Sequence, residues 1–238
     1  MATDRKRESP AHILPGLSCS DKNTESMKYF VSGIHTDAGK SYCTGWFARE
    51  LMKQNRKVIT QKFIQTGNTS MSEDIEVHRH LMGTGFLPED LDHTTAPLIF
   101  THPCSPQLAA RIDGREIPLE VIDNATEKLA SRYDDVLIEG AGGLMVPVTD
   151  DFFTIDYVAS RHLPLIMVVN GSLGSINHAI LSFEAIKTRD IEMPYVLYNT
   201  HFDYDPLISD DTFGFIRRYL AHHFPDTTLL KVPSLPLN

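Results

Sequence analysis

Gly33-Ile34-His35-Thr36-Asp37-Ala38-Gly39-Lys40-Ser41 sits between a short apolar run, Tyr29-Phe30-Val31, and an amphipathic segment from Tyr42 to Gln54. A strand, a glycine-bounded turn and a helix opening at Lys-Ser form the layout of a phosphate-binding loop. Backbone N–H groups at a helix N-terminus face an anion, Lys40 adds a point charge, and the Ser41 hydroxyl can hold Mg²⁺. The strict pattern G-x-x-x-x-G-K-[ST] is not met, because Ile34 stands where its first glycine belongs and Gly33 comes one residue early. The loop is therefore a variant.

The loop dictates what to seek downstream. Apolar, β-branched runs recur at Val58-Ile59-Thr60, Asp135 to Ile138, Leu165 to Val169, Tyr195 to Tyr198 and Leu229 to Val232. Helical windows lie between them, at Ile122 to Arg132, Thr154 to Arg161 and Asn177 to Arg189. Near-continuous apolar strands alternating with helices indicate a mostly parallel sheet covered on both faces. The expected fold is a doubly wound α/β domain over residues 27 to 238, with ligands at the carboxyl ends of the strands. The stretch from Thr66 to Pro118 reads as loop-rich elaboration around the site.

Bulk properties narrow the class. At 238 residues, one α/β domain is the simplest reading. A net charge of −9 with interspersed signs speaks against nucleic acid and anionic membranes as partners. Three widely spaced cysteines, Cys19, Cys43 and Cys104, give neither a disulfide framework nor a zinc spacing, which suits a reducing cytosol. Residues 1 to 26 are polar and charged and do not read as a secretory signal. They read as an N-terminal extension or expression remnant, with Met27 directly before the first strand.

Polar residues at strand ends are the candidates for chemistry. Glu139 ends the third strand before Gly140-Ala141-Gly142-Gly143, where a carboxylate beside small residues suits a second Mg²⁺ ligand. Lys62 follows the second strand; inside the fold its ammonium needs an anion, whereas on an edge strand it would simply be solvated. Asp74 reads on its own as a helix cap or first-turn acid. Asn199 can pair with a purine edge or form a turn. Gly174-Ser175-Ile176-Asn177-His178 opens a helix and could cradle a second anion. His35 and His178 carry no catalytic spacing by themselves.

Together these motifs resemble the ATP-dependent dethiobiotin synthetases of biotin biosynthesis, a P-loop NTPase family. The likeness runs from about Met27 to Leu235 through Gly33…Thr36 to Ser41, Lys62…Thr66-Gly67, Ser105-Pro106, Glu139 to Gly143 and Leu173 to His178, in that order. It implies a homodimer with a seven-stranded sheet and this reaction: 7,8-diaminononanoate, CO₂ (or bicarbonate) and ATP give dethiobiotin, ADP and phosphate. One amine captures CO₂ as a carbamate, ATP phosphorylates it, and the second amine closes the cyclic urea. The resemblance implies that Lys40, Lys62 and Ser41 act on the carbamate and γ-phosphoryl, and that Ser41, Asp74 and Glu139 hold Mg²⁺. It implies nucleotide contacts from Thr36, Asp37, Ala38, Gly39, Lys40, Ser41 and Tyr42, from Asp74, and from Glu139, Gly140, Ala141 and Gly142. Asn199, Thr200, Pro233, Ser234 and Leu235 would hold the adenine. Thr66 and Ser105 would touch the substrate, and Gly174, Ser175 and Asn177 would bind its carboxylate across the dimer interface.

The departures are Ser41 for a usual Thr, Asp37 for Glu, His35 for Asp or Glu, and Phe63 for a proline. None removes a group the chemistry requires. One rival is a switch ATPase of the chromosome-partitioning type, which carries an extra signature lysine early in the loop where this chain has His35. A second, an amidotransferase-linked synthetase, needs a glutaminase domain for which the chain is too short.

Overall fold

The computed structural model describes residues 26–234. Leu235 and the proposed extension up to residue 25 lie outside the described residues. The elements in chain order are β1 (Met27–Gly33), α1 (Lys40–Met52), β2 (Val58–Lys62), β3 (Gln65–Thr66), α2 (Glu73–Met82), α3 (Pro88–Leu91), β4 (Ile99–Phe100) and α4 (Pro106–Ile112). They continue with α5 (Leu119–Ala130), β5 (Asp135–Gly143), α6 (Thr154–Ser160), β6 (Leu165–Asn170), α7 (Ser175–Thr188), β7 (Tyr195–Asn199), α8 (Pro206–His223) and β8 (Thr228–Val232).

The main sheet has six strands in the order β2-β5-β1-β6-β7-β8, and every pairing in it is parallel. Every residue of β2, β6 and β7 is buried. Side chains alternate between faces along a strand, so unbroken burial means cover on both sides. That is why these strands read as continuous apolar runs. Helices α1 and α5 pack on β5, and α7 packs on β6.

Three expectations are corrected. The main sheet holds six strands among the described residues, where seven were expected. Outside β2, Lys62 N–H donates to Thr95 O at 2.7 Å, but no ladder follows. The short strands β3 and β4 instead pair with each other as a separate two-stranded sheet. Second, the strand carrying Glu139 does not end there; it runs on to Gly143, which pairs with Gly33 after a register shift. Third, the segment after Thr66 contains a true helix, α2. Ser72 caps it by accepting from Ile75 N–H at 3.2 Å, and Gly83 ends it in the left-handed conformation.

Parallel register lines up the carboxyl ends: Lys62 lies opposite Glu139, and Asn170 opposite Asn199. The core beneath them is aromatic. Phe63 packs on Phe30 and Tyr157 with ring centroids 5.4 and 4.6 Å away. A Cβ added at Gly140 would lie 2.8 Å from the Phe30 ring, so only glycine fits between that ring and the site. Gly140→Ala is therefore expected to lower stability by about 1–3 kcal/mol through overpacking. Urea unfolding checks it, and a double-mutant cycle with Phe30→Leu should recover part of the loss.

Candidate active site

Helix α1 begins at Lys40 after Gly39, which sits at φ 83° with no side chain capping the helix. By contrast Ser72 caps α2 and Asp205 caps α8. The free N–H groups of α1, together with its dipole, make its start suited to an anion. A Cβ on Gly39 would fall 2.2 Å from Asn199 Nδ2, so the loop is closed against β7 as well.

Lys40 is buried, and its Nζ donates to the carbonyls of Thr36 at 3.0 Å and His35 at 3.3 Å. Burial pushes its pKa down to about 8, with Glu139 pulling up and Lys62 pushing down more weakly. Ser41 Oγ is hydrogen-bonded to Asp74 and lies 3.0 Å from Glu139 Oε1. Lys62 ends β2 at the sheet edge, yet it is buried there: its Nζ lies 2.8 Å from Glu139 Oε1, 2.5 Å from Asp74 and 3.1 Å from Gly140 O. The alternative of a solvated edge lysine is thus overturned, because Thr95 and the segment around it cover β2.

Burial alone would lower Lys62, but Glu139 and Asp74 together outweigh it and hold the ammonium above its ordinary range. Burial would raise Glu139, and Lys62 and His78 instead hold the carboxyl well below its usual range. Asp74 lies in the first turn of α2, as its reading as a first-turn acid has it, and its carboxylate reaches Ser41 and Lys62.

Phe63, the departure beside the lysine, gains a role that proline could not fill. Its N–H donates to Glu139 O at 2.8 Å, extending the β2–β5 ladder one step. His35 Nδ1 accepts from Asp37 N–H at 3.1 Å, and its ring faces His178 at 5.7 Å. Burial, then His178, lower its pKa.

A second cluster braces the far side of the loop. Asn199 Nδ2 donates to Ala38 O at 3.2 Å, and its Oδ1 accepts from His201 N–H at 3.1 Å. Thr200 Oγ1 donates to Val232 O at 2.9 Å and accepts from Ser234 N–H at 3.2 Å. Tyr42 OH donates to Pro233 O at 2.7 Å. Ser175 is buried and bonded to Asn170, whereas Gly174 and Asn177 are exposed on the surface. Thr66 lies in β3, and Ser105 lies directly before α4. His78, Thr60 and Arg79 went unnoticed in the sequence; the signal for His78 was its spacing of four from Asp74, which puts both on one face of α2.

A family model described as an AAA domain matches residues 27–237. An ATP-dependent dethiobiotin synthetase, BioD 2, of Pasteurella multocida (strain Pm70) is 43% identical over 199 residues, covering 84% of this chain and 93% of that protein. Its namesake in Haemophilus influenzae (strain ATCC 51907 / DSM 11121 / KW20 / Rd) is 49% identical over 179 residues, covering 75% of this chain and 94% of that one. The chain belongs to the ATP-dependent dethiobiotin synthetase family. The solved structure of a ParA family ATPase from Chlorobium tepidum TLS matches with a TM-score of 0.51 and 17% identity, covering 88% of this chain and 85% of that one. That likeness is one of fold.

The two carboxylates of Asp74 and Glu139 need the ammonium between them. Glu139 is held below its ordinary 4.5, so its contribution to stability is complete above that value and is lost as pH falls through the lower folded one. Lys62 is held above its ordinary 10.5, so its contribution is complete below that value and is lost as pH rises further. Lys62→Met keeps the length without the charge and leaves two acids facing each other. It is expected to cost about 3–5 kcal/mol at neutral pH. The gap to wild type should narrow as pH falls below about 4.5, which urea midpoints at neutral and acid pH will measure.

Proposed function

We propose that the chain closes a cyclic urea at the expense of ATP, converting 7,8-diaminononanoate and CO₂ to dethiobiotin with release of ADP and phosphate. The observation that carries this reading is the buried Lys62 ammonium, set between Glu139 and Asp74 and facing the start of α1. The reaction needs no protein nucleophile. It needs two cations near a developing anion and a site that positions the partners.

One amine attacks CO₂ and loses a proton, giving a carbamate. A carbamate oxygen attacks the γ-phosphorus and ADP leaves. The second amine then attacks the carbonyl carbon, phosphate leaves, and the ring is closed. Lys40 and Lys62 bear the negative charge of the carbamate and the transferring phosphoryl group. Thr36 to Tyr42 and Glu139 to Gly142 line the nucleotide phosphates, and Asn199, Thr200, Pro233 and Ser234 hold the base. Leu235, assigned to the same role, lies outside the described residues. Thr66 and Ser105 touch the diamine.

The donor set fits Mg²⁺. Ser41 Oγ converges with the carboxylates of Asp74 and Glu139, hard oxygen donors of the kind Mg²⁺ takes alongside water and phosphate. When bound, Mg²⁺ neutralises charge on the polyphosphate.

A homodimer belongs to the same reading. Gly174 opens α7 uncapped, beside Leu173 and Leu207, which are 87% and 81% exposed. A second copy would cover this face and use Gly174, Ser175 and Asn177 for the substrate carboxylate. Among the described residues no helix is long and apolar enough to cross a membrane, and a cytoplasmic biosynthetic enzyme is the reading in keeping with that.

ADP release is the test, with ATP and Mg²⁺ fixed and diaminononanoate and bicarbonate varied. Release should depend on both; equal rates without the diamine would sink the synthetase reading. Lys62→Met is expected to cut turnover at least about a hundredfold while nucleotide binding is kept.

A further inference from the structure

We infer that His78 is a positioning residue for Glu139, acting through a closed, buried ring of hydrogen bonds that locks the carboxylate in one orientation. The inference rests on the reading of Glu139 as a Mg²⁺ ligand. His78 Nε2 lies 2.7 Å from Glu139 Oε2, and Glu139 Oε1 faces Ser41 at 3.0 Å and Lys62 at 2.8 Å. The two oxygens are thereby given different tasks.

The rest of the ring explains why His78 presents that nitrogen. Its Nδ1 lies 3.0 Å from Thr60 Oγ1, and Thr60 Oγ1 accepts from Arg79 Nη1 at 2.8 Å. Arg79 makes a two-pronged pair with Asp90, at 2.8 Å through both Nε and Nη2. Thr95 Oγ1 donates to Asp90 at 2.7 Å, and Thr95 O accepts from Lys62 N–H at 2.7 Å. The circuit returns through Lys62 Nζ to Glu139. No side chain in it is from a residue more than 5% exposed.

Around a neutral His78 imidazole the donors and acceptors match in one sense. A carboxylate oxygen accepts, so Nε2 must carry a hydrogen. The Arg79 guanidinium donates only, so it uses the Thr60 oxygen as acceptor and leaves the Thr60 hydroxyl hydrogen for Nδ1. Thr60 thus selects the imidazole tautomer that donates to Glu139. The outer partners of a metal ligand fix its orientation in this way. Without the imidazole, the terminal torsion of Glu139 has a broad profile and the carboxylate plane is held from the Ser41 and Lys62 side alone.

The test is calorimetric binding of AMPPNP, with Mg²⁺ titrated and with EDTA, to wild type, His78→Leu, His78→Gln and Thr60→Val. His78→Leu fills the space without a donor. It should weaken apparent Mg²⁺ affinity roughly tenfold or more, with metal-free nucleotide affinity unchanged. His78→Gln restores an N–H at similar reach and should recover most of the loss. Thr60→Val keeps the imidazole but frees its tautomer and should show an intermediate loss. If His78→Leu fails to fold, the other two variants decide between them. Wild-type Mg²⁺ affinity in His78→Leu or Thr60→Val overturns the inference, and so does a His78→Gln protein as weak as His78→Leu. A wild-type protein whose AMPPNP affinity ignores Mg²⁺ would instead overturn the metal reading of Glu139 itself.

Discussion

The ion pair of Lys62 with Glu139 is the constraint around which the active end of the sheet is arranged. The two residues lie opposite each other on neighbouring parallel strands, both buried, so neither can turn to water for solvation. Two charges brought this far from solvent cost several kcal/mol each, and their attraction offsets that cost only when the remaining donors and acceptors are also met. Here they are. Lys62 also reaches Asp74 and Gly140 O, while Glu139 reaches Ser41 and His78. The pair is weak grounds for stability and strong grounds for specificity of geometry, because any rearrangement strands a charge. It also ties three separate pieces of chain to one point: the phosphate loop through Ser41, helix α2 through Asp74 and His78, and the edge segment through Thr95.

Much of this was legible in the sequence, and the illegible part has physical causes. Five of the six strands of the main sheet follow from burial on both faces, which leaves unbroken apolar runs at Tyr29, Ile59, Val136, Ile166 and Val196, whereas the edge strand β8 is mostly half-buried. The loop and Glu139 were found because glycine spacing and a carboxylate at a strand end have few other uses. Helix α2 was hidden because its inward face is partly polar: His78 and Arg79 occupy positions where an amphipathic pattern expects Leu or Ile. Their burial is only tolerable because partners wait on β2, α3 and β5, and partners 11 to 61 residues away leave no trace in local periodicity. The extra length of β5 was missed for the opposite reason, since glycines carry no side-chain pattern at all.

Fold and function part company in this molecule. A parallel sheet with a phosphate loop is shared with a ParA family ATPase at 17% identity, and that architecture accounts for nucleotide binding alone. What distinguishes the chain is chemistry placed at two positions. His35 stands where a partitioning ATPase has its signature lysine, and Lys62 supplies a cation from the sheet rather than from the loop. A cation rising from β2 is present within one chain, which suits the proposed capture of a small anion there.

The placing of that cation depends on the core below it. Phe63 cannot stiffen the chain after Lys62 as a proline would, but it does so by other means. Its N–H bonds Glu139 O, and its ring is wedged between Phe30 and Tyr157. Phe30 in turn fills the space that Gly140 leaves by lacking a side chain, directly under the carbonyl that Lys62 Nζ contacts. Aromatic packing, a glycine and an ion pair therefore form consecutive layers, each setting the height of the next. A buried ring has few rotamers and dense surroundings, so it resists small displacements better than a turn held by local backbone alone. The ammonium is thus held from both sides, by aromatic packing beneath it and by the buried polar ring around Glu139.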